Sequence, residues 1–201
     1  MPMVLNEEQN MLRDTAREFI QSTAPVELVR KLRDEKNATG YSDAVWQQMI
    51  EMGWPAVAID EEYGGLGFGY VGLGALMEET GKTLANSPLF STVVLGASII
   101  SQAGTVKQRT QWLSQIAAGE LTLAIALDES NHHDPAAVRL SAKQDGDKLI
   151  LNGHKQFVNE GSNAQQLIVS VRTSGDEQSP EGISLVMVDP DAAGLSITNT
   201  G

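Results

Sequence analysis

The residues with most chemistry to offer lie between positions 128 and 159 of a 201-residue chain. His132, His133 and Asp134 stand in a row, and imidazole with carboxylate can hold a transition metal. Adjacent residues on a strand point to opposite faces, and no third ligand follows, so a metal site is not expected. Lys155 has the reach to meet a phosphate, but the run HKQFV (154–158) reads more simply as a strand carrying a solvated lysine. By pattern alone Phe157 and Val158 are ordinary strand residues. Asp60–Tyr63 (DEEY) reads as a solvated turn rather than an acid/base pair. Four glycines follow within residues 60–69: Gly64, Gly65, Gly67 and Gly69. They call for left-handed backbone or close approach. No Lys-Ser/Thr pair follows them, and no strand precedes them, so neither a P-loop nor a dinucleotide fingerprint is present.

Bulk properties narrow the classes. A net charge of −12 argues against nucleic-acid or anionic-membrane binding. The absence of cysteine removes disulfides, thiolate metal sites and cysteine nucleophiles. No basic-then-apolar segment opens the chain and no apolar run could span a bilayer, so a cytoplasmic protein without membrane insertion is expected.

The elements that must carry these residues change in kind near residue 120. Before it, apolar residues recur at helical spacing. Asn6 with Gln9 forms a capping box ahead of Leu12, Ala16, Phe19 and Ile20, and Pro25 ends or bends that helix. A second helix starts after Ser42 and stops at Gly53, and a third runs from about Val71 to Leu84 with Leu73, Leu76, Met77 and Leu84 on its apolar face. A fourth, from about Pro88 to Gln102, is apolar nearly all round and should be buried. Thr105 and Gln108 cap a fifth. Trp46, Trp54 and Trp112 are assigned to the core or an interface. After residue 120, strands are expected at 121–127, 137–144, 148–151, 154–158, 166–171, 183–188 and 195–198. Asp145-Gly146 and Asn152-Gly153 signal hairpins. The result is an α+β chain: an all-α helical bundle at 1–119, then an antiparallel β-barrel or sheet at 120–201.

Five segments, in order, resemble the acyl-CoA dehydrogenase family. LNEEQNMLRDTAREF is similar to its "TEEQ…L…AR.F" opening, and Gly53-Trp54 with DEEYGGLG to "GW…PEEYGGLG". EETGKTLANSPLF resembles "EELGRAL…P", GTVKQRTQWLSQIAAGELTLAIAL resembles "GSEEQK..WLP.LA.GE…A.AL", and DGDKLILNGHKQFVNEG resembles "GDEYVLNGEKxFITNG". The resemblance covers the N-terminal helical and middle β-domains of that family and lacks its C-terminal helical domain. It implies FAD, an acyl-CoA substrate, and α,β-dehydrogenation in which a glutamate takes the α-proton and the β-hydrogen leaves as hydride to the flavin. That glutamate belongs to the C-terminal domain, so no catalytic base is assigned here, and the 201-residue chain by itself is expected to be inactive and to retain FAD weakly. Electron-transfer flavoprotein or a similar acceptor, and a homo- or hetero-oligomer, are implied as partners.

The resemblance carries over to residues unevenly. The family's flavin loop, usually "LTEPxxGSD", matches Leu127, Glu129 and Asp134, whereas Asp128 replaces Thr, Ser130 replaces Pro, and His132-His133 fills the "GS" region with one residue fewer. A Thr hydroxyl donates to a flavin ring; an ionised Asp only accepts and opposes charge build-up on reduced flavin. Phe157, Val158 and Asn159 stand for the second flavin segment, "WITN". Leu127, Asp128, Phe157, Val158 and Asn159 are therefore the implied cofactor contacts, and His133 with Asp134 the implied substrate contacts. Three readings follow: a dehydrogenase subunit, a flavin-poor partner subunit of a mixed assembly, or a protein-binding scaffold.

Overall fold

The computed structural model describes residues 4–177 and 179–199. The chain divides into two compact units, Met1–Thr122 and Leu123–Gly201.

The first unit is helical. Helix α1 (Glu7–Thr23) opens on the Asn6–Gln9 capping box, with Gln9 N donating to Asn6 Oδ1 at 2.7 Å. Helix α2 (Val26–Asp34) follows Pro25, which ends one helix and starts the next. Helix α2 is not among the helices expected from the sequence, although Val26, Leu28, Val29 and Leu32 give it an apolar side that is half-buried. Ser42 caps α3 (Asp43–Glu51), and Gly53 leaves it in the left-handed region at φ 74°. The glycine-rich loop then leads into α4 (Gly69–Lys82). Here Gly65 is required by space: a Cβ would overlap the Ile59 carbonyl. Helix α4 ends before Leu84, which is 66% exposed at φ 57° and does not join the apolar face.

The expected fourth helix is instead a π-helical stretch, Leu89–Ala97, running into α5 (Ser98–Ala103). Helix α6 (Val106–Ala117) closes the unit behind the Thr105–Gln108 box. Trp54, Met49, Leu76 and Ile116 are buried at its core, with Phe19 edge-on to Trp54 at 5.4 Å. Across α1 and α4, the buried Glu79 carboxylate meets Arg17 Nη2 at 2.9 Å and Lys82 Nζ at 2.8 Å. Burial alone would raise the Glu79 pKa; Arg17 and Lys82 outweigh it and hold it low.

The second unit is a five-stranded sheet: β1 (Leu123–Ala126), β2 (Ser141–Asp145), β3 (Lys148–Asn152), β4 (Gln166–Arg172) and β5 (Ile183–Val188). Strand β4 is central. It pairs antiparallel with β5 along Leu167–Arg172. On its other edge it pairs parallel with β1 from Gln166 to Val169, then meets β2 at Ser141↔Arg172. The sheet is therefore mixed and open rather than an antiparallel barrel, because β1 and β2 share one edge of β4 and only a long excursion, residues 127–140, separates them. Ala124, Ala126, Leu140, Ala142, Leu167, Val169 and Val171 form the core beneath it.

The Asp145-Gly146 hairpin forms as expected, joining β2 to β3. The Asn152-Gly153 hairpin does not. Gly153 sits at φ 149° against the Leu140 backbone, where a Cβ would come within 2.7 Å of Leu140 Cα, and the chain turns away. Residues 154–158 and 195–198 are not strands.

Candidate functional site

The excursion between β1 and β2 and the segment after β3 carry the site, and both belong to the second unit. They meet through paired bonds. Gln156 N donates to the Asp128 carbonyl at 2.7 Å, and Gln156 Nε2 to the Glu129 carbonyl at 2.8 Å. Segment 154–158 thus lies along segment 127–129 without forming a strand, because its bonds come from side chains as much as backbone.

Lys155 supplies the strongest of them. It is not a solvated strand lysine, and it offers no charge to a phosphate: its side chain is 6% exposed and its three protons are all used. Nζ donates to Glu129 Oε1 at 2.6 Å, Ser170 Oγ at 2.8 Å and the Leu127 carbonyl at 3.0 Å. Glu129, equally buried, also accepts from Arg139 N at 2.8 Å and Leu140 N at 3.0 Å. It therefore staples the two feet of the 127–140 excursion together. Burial would raise the Glu129 pKa, but the Lys155 ammonium and the two N–H groups hold it below 4.5. Burial pulls Lys155 below 10.5 against the attraction of Glu129. Three acceptors around Nζ demand three protons, so the pair is ionised.

Arg172 anchors the same excursion from β4. Buried, it donates to the carbonyls of Ala136 and Val138 and, across the next loop, to those of Glu177, Ser179 and Glu181. Sequence reasoning misses both Arg172 and the Lys155–Glu129 pair. A signal for the pair exists, since Glu129 and Lys155 both fall in family-like motifs.

The expected site residues are placed as follows. Leu127 and Asp128 are half-buried, and Leu127 offers its carbonyl inward to Lys155. Asp128 Oδ1 lies 2.8 Å from His133 Nδ1. Asp134 folds back on its own turn, its carboxylate accepting from Ala136 N at 3.1 Å. Phe157 is 71% exposed at φ 54°. Val158 packs against the core. Asn159 is exposed and makes no hydrogen bond to a described residue. Among the described residues no group of three or more His, Asp or Glu gathers as a metal site, and no helix is long and apolar enough to cross a membrane.

The family models decide the relationship. "Acyl-CoA dehydrogenase, N-terminal domain" matches residues 6–120, and "Acyl-CoA dehydrogenase, middle domain" matches residues 124–201. The chain belongs to the acyl-CoA dehydrogenase family. Probable acyl-CoA dehydrogenase YngJ of Bacillus subtilis is 28% identical over 202 residues, covering 99% of this chain and 52% of that protein. Acyl-CoA dehydrogenase FadE12 of Mycobacterium tuberculosis is 30% identical over 200 residues, covering 96% and 49%. A solved variant of the "Tcur3481-Tcur3483 steroid ACAD" is similar at 34% identity and a TM-score of 0.81, covering 94% of this chain and 50% of that one. The chain spans about half the length of the acyl-CoA dehydrogenases it matches.

Proposed function

We propose that this chain forms the amino-terminal half of an FAD-dependent subunit that dehydrogenates the α,β-carbons of an acyl-CoA thioester. Phe157 carries the reading. It is a large apolar ring left 71% exposed at a left-handed backbone position, beside the exposed amide of Asn159 and next to the segment paired with Asp128. An unshielded aromatic face with an amide donor and acceptor at hand fits a planar heteroaromatic ring. Asp128 does not spoil the fit, because its Oδ1 is engaged by His133 Nδ1 at 2.8 Å.

FAD, when bound, supplies the electron-accepting chemistry. Leu127, Asp128, Phe157, Val158 and Asn159 would hold it, Val158 through its backbone. His133 would face the CoA arm, and Asp134 would shape the turn that carries it. The residue that takes the α-proton lies outside this chain. Electron-transfer flavoprotein or a similar acceptor, oligomeric assembly and a cytoplasmic location belong to the same proposal.

A second reading has its own support. Asp128 and His133 occupy a loop where the family carries a hydroxyl and small residues, and the steroid dehydrogenase similar to this chain is named for two components. On that reading the chain is the flavin-poor partner in a mixed assembly. The visible spectrum of the full-length protein separates the two. A flavin band that bleaches anaerobically on adding acyl-CoA supports the dehydrogenase. A colourless protein that gains flavin only with the product of a neighbouring gene supports the partner subunit and removes the flavin roles of Asp128 and Phe157.

A further inference from the structure

The node centred on Lys155 joins three pieces of chain that are remote from it in sequence. It takes in the near foot of the excursion at Leu127 and Glu129, β4 at Ser170, and, through Glu129, the far foot of the excursion at Arg139 and Leu140. The residues on either side of these contacts are the candidate ligand contacts, half-buried Asp128 and exposed Phe157. Asp128 lies between Leu127 and Glu129. Phe157 lies two positions beyond Lys155, with Gln156 bonded to both the Asp128 and Glu129 carbonyls. A buried ion pair is an expensive way to hold two loops, since apolar residues of similar size often stabilise as well or better. What it gives is a fixed register: a tetrahedral ammonium with three acceptors has one arrangement.

We propose that Lys155 and Glu129 are positioning residues that lock segment 127–129 against segment 156–159, so that Asp128 and Phe157 present one preformed edge to the ligand. The inference rests on the flavin reading for the identity of that ligand and on the node's own geometry for the locking. Neither side chain touches the ligand. Lys155→Met removes the cation while keeping length and apolar bulk. Ser170→Ala removes a single anchor without stranding a charge, and serves if the first variant folds poorly.

The test measures amide hydrogen exchange and FAD affinity on the full-length protein. In Lys155→Met the Gln156 amide should exchange at least about tenfold faster, while amides of the β4–β5 ladder keep their protection. Ser170→Ala should move Gln156 in the same direction by a smaller factor. FAD affinity should fall about tenfold in Lys155→Met, with the flavin absorption envelope altered in the fraction that still binds. Unchanged Gln156 exchange overturns the locking. Equal loss across β4 and β5 makes Lys155 a general stabiliser and also overturns it. Faster Gln156 exchange with unaltered FAD affinity and spectrum overturns the link to the ligand. A wild-type protein that takes up no FAD, alone or with a partner, defeats the flavin reading and that link together, and the exchange data then still decide the locking.

Discussion

Oδ1 of Asp128 lies 2.8 Å from Nδ1 of His133, five residues further along the same excursion. Asp128 is largely covered while His133 is mostly exposed. The carboxylate therefore turns toward an imidazole rather than standing alone at the edge where Phe157 is displayed. Two departures from the family pattern, an acid for a hydroxyl and a histidine for a small residue, act as one change.

That coupling gives opposite signs for two substitutions in the FAD-loaded full-length protein. Asp128→Thr removes a negative charge and restores a donor, so the flavin midpoint potential should rise. His133→Ala removes the imidazole partner of the carboxylate, so the potential should fall. Each effect is on the order of 1 kcal/mol for a partly solvated charge. Anaerobic dye-equilibrated titration reads both, and shifts of the same sign would refute the pairing.

The Glu129–Lys155 pair sets an acid limit. Glu129 has its folded pKa below its ordinary 4.5, so the unfolded chain binds more protons as pH falls through that region. The stability it contributes is complete above about 4.5 and is lost as pH drops through the folded value. Glu129→Gln strands a buried ammonium and should cost about 3 kcal/mol at neutral pH. Urea unfolding at pH 7 and again near pH 3 should show the gap between wild type and variant narrowing. A gap independent of pH would mean that Glu129 is not ionised in the folded protein.

Local signals in the sequence translate well into structure. The Asn6–Gln9 and Thr105–Gln108 boxes, the Gly53 terminator and the Asp145-Gly146 hairpin each depend on residues within a few positions of one another. Helix α2 escapes notice because it is only nine residues long and directly follows Pro25, although Val26, Leu28, Val29 and Leu32 form a half-buried apolar side. The π-helical geometry of Leu89–Ala97 leaves the apolar composition of an α-helix unchanged. Segment 154–158 follows a hairpin signal that predicts a paired strand, yet Lys155 finds its partners 28, 26 and 15 residues away at Leu127, Glu129 and Ser170. Nothing within the segment announces them. The candidate contacts of the site can be named by resemblance; the motifs also contain Glu129 and Lys155, but that the two meet is visible only in three dimensions.

Arg172 donates to five carbonyls in two loops, a pattern that only a planar fork can meet. Lysine keeps the charge but cannot reproduce the geometry. Arg172→Lys should therefore lose about 1–3 kcal/mol, because one ammonium cannot replace all five bonds. Limited proteolysis should find faster cleavage in 173–182 and 130–138. Full stability in the lysine variant would show that charge alone suffices.

Two adjacent glycines of the first unit separate space from conformation. Gly64 lies at φ 82° with nothing within 4 Å of the place a methyl group would take, whereas at Gly65 a Cβ would strike the Ile59 carbonyl. Gly64→Ala incurs only the left-handed penalty, about 1 kcal/mol. Gly65→Ala must displace backbone that is already bonded, since Gly67 N donates to that same Ile59 carbonyl at 3.1 Å; overpacking of this kind costs about 3 kcal/mol or more. Denaturant unfolding of the two variants should rank Gly65→Ala well below Gly64→Ala. Equal losses would mean that the loop yields at Ile59 and that close approach does not require Gly65.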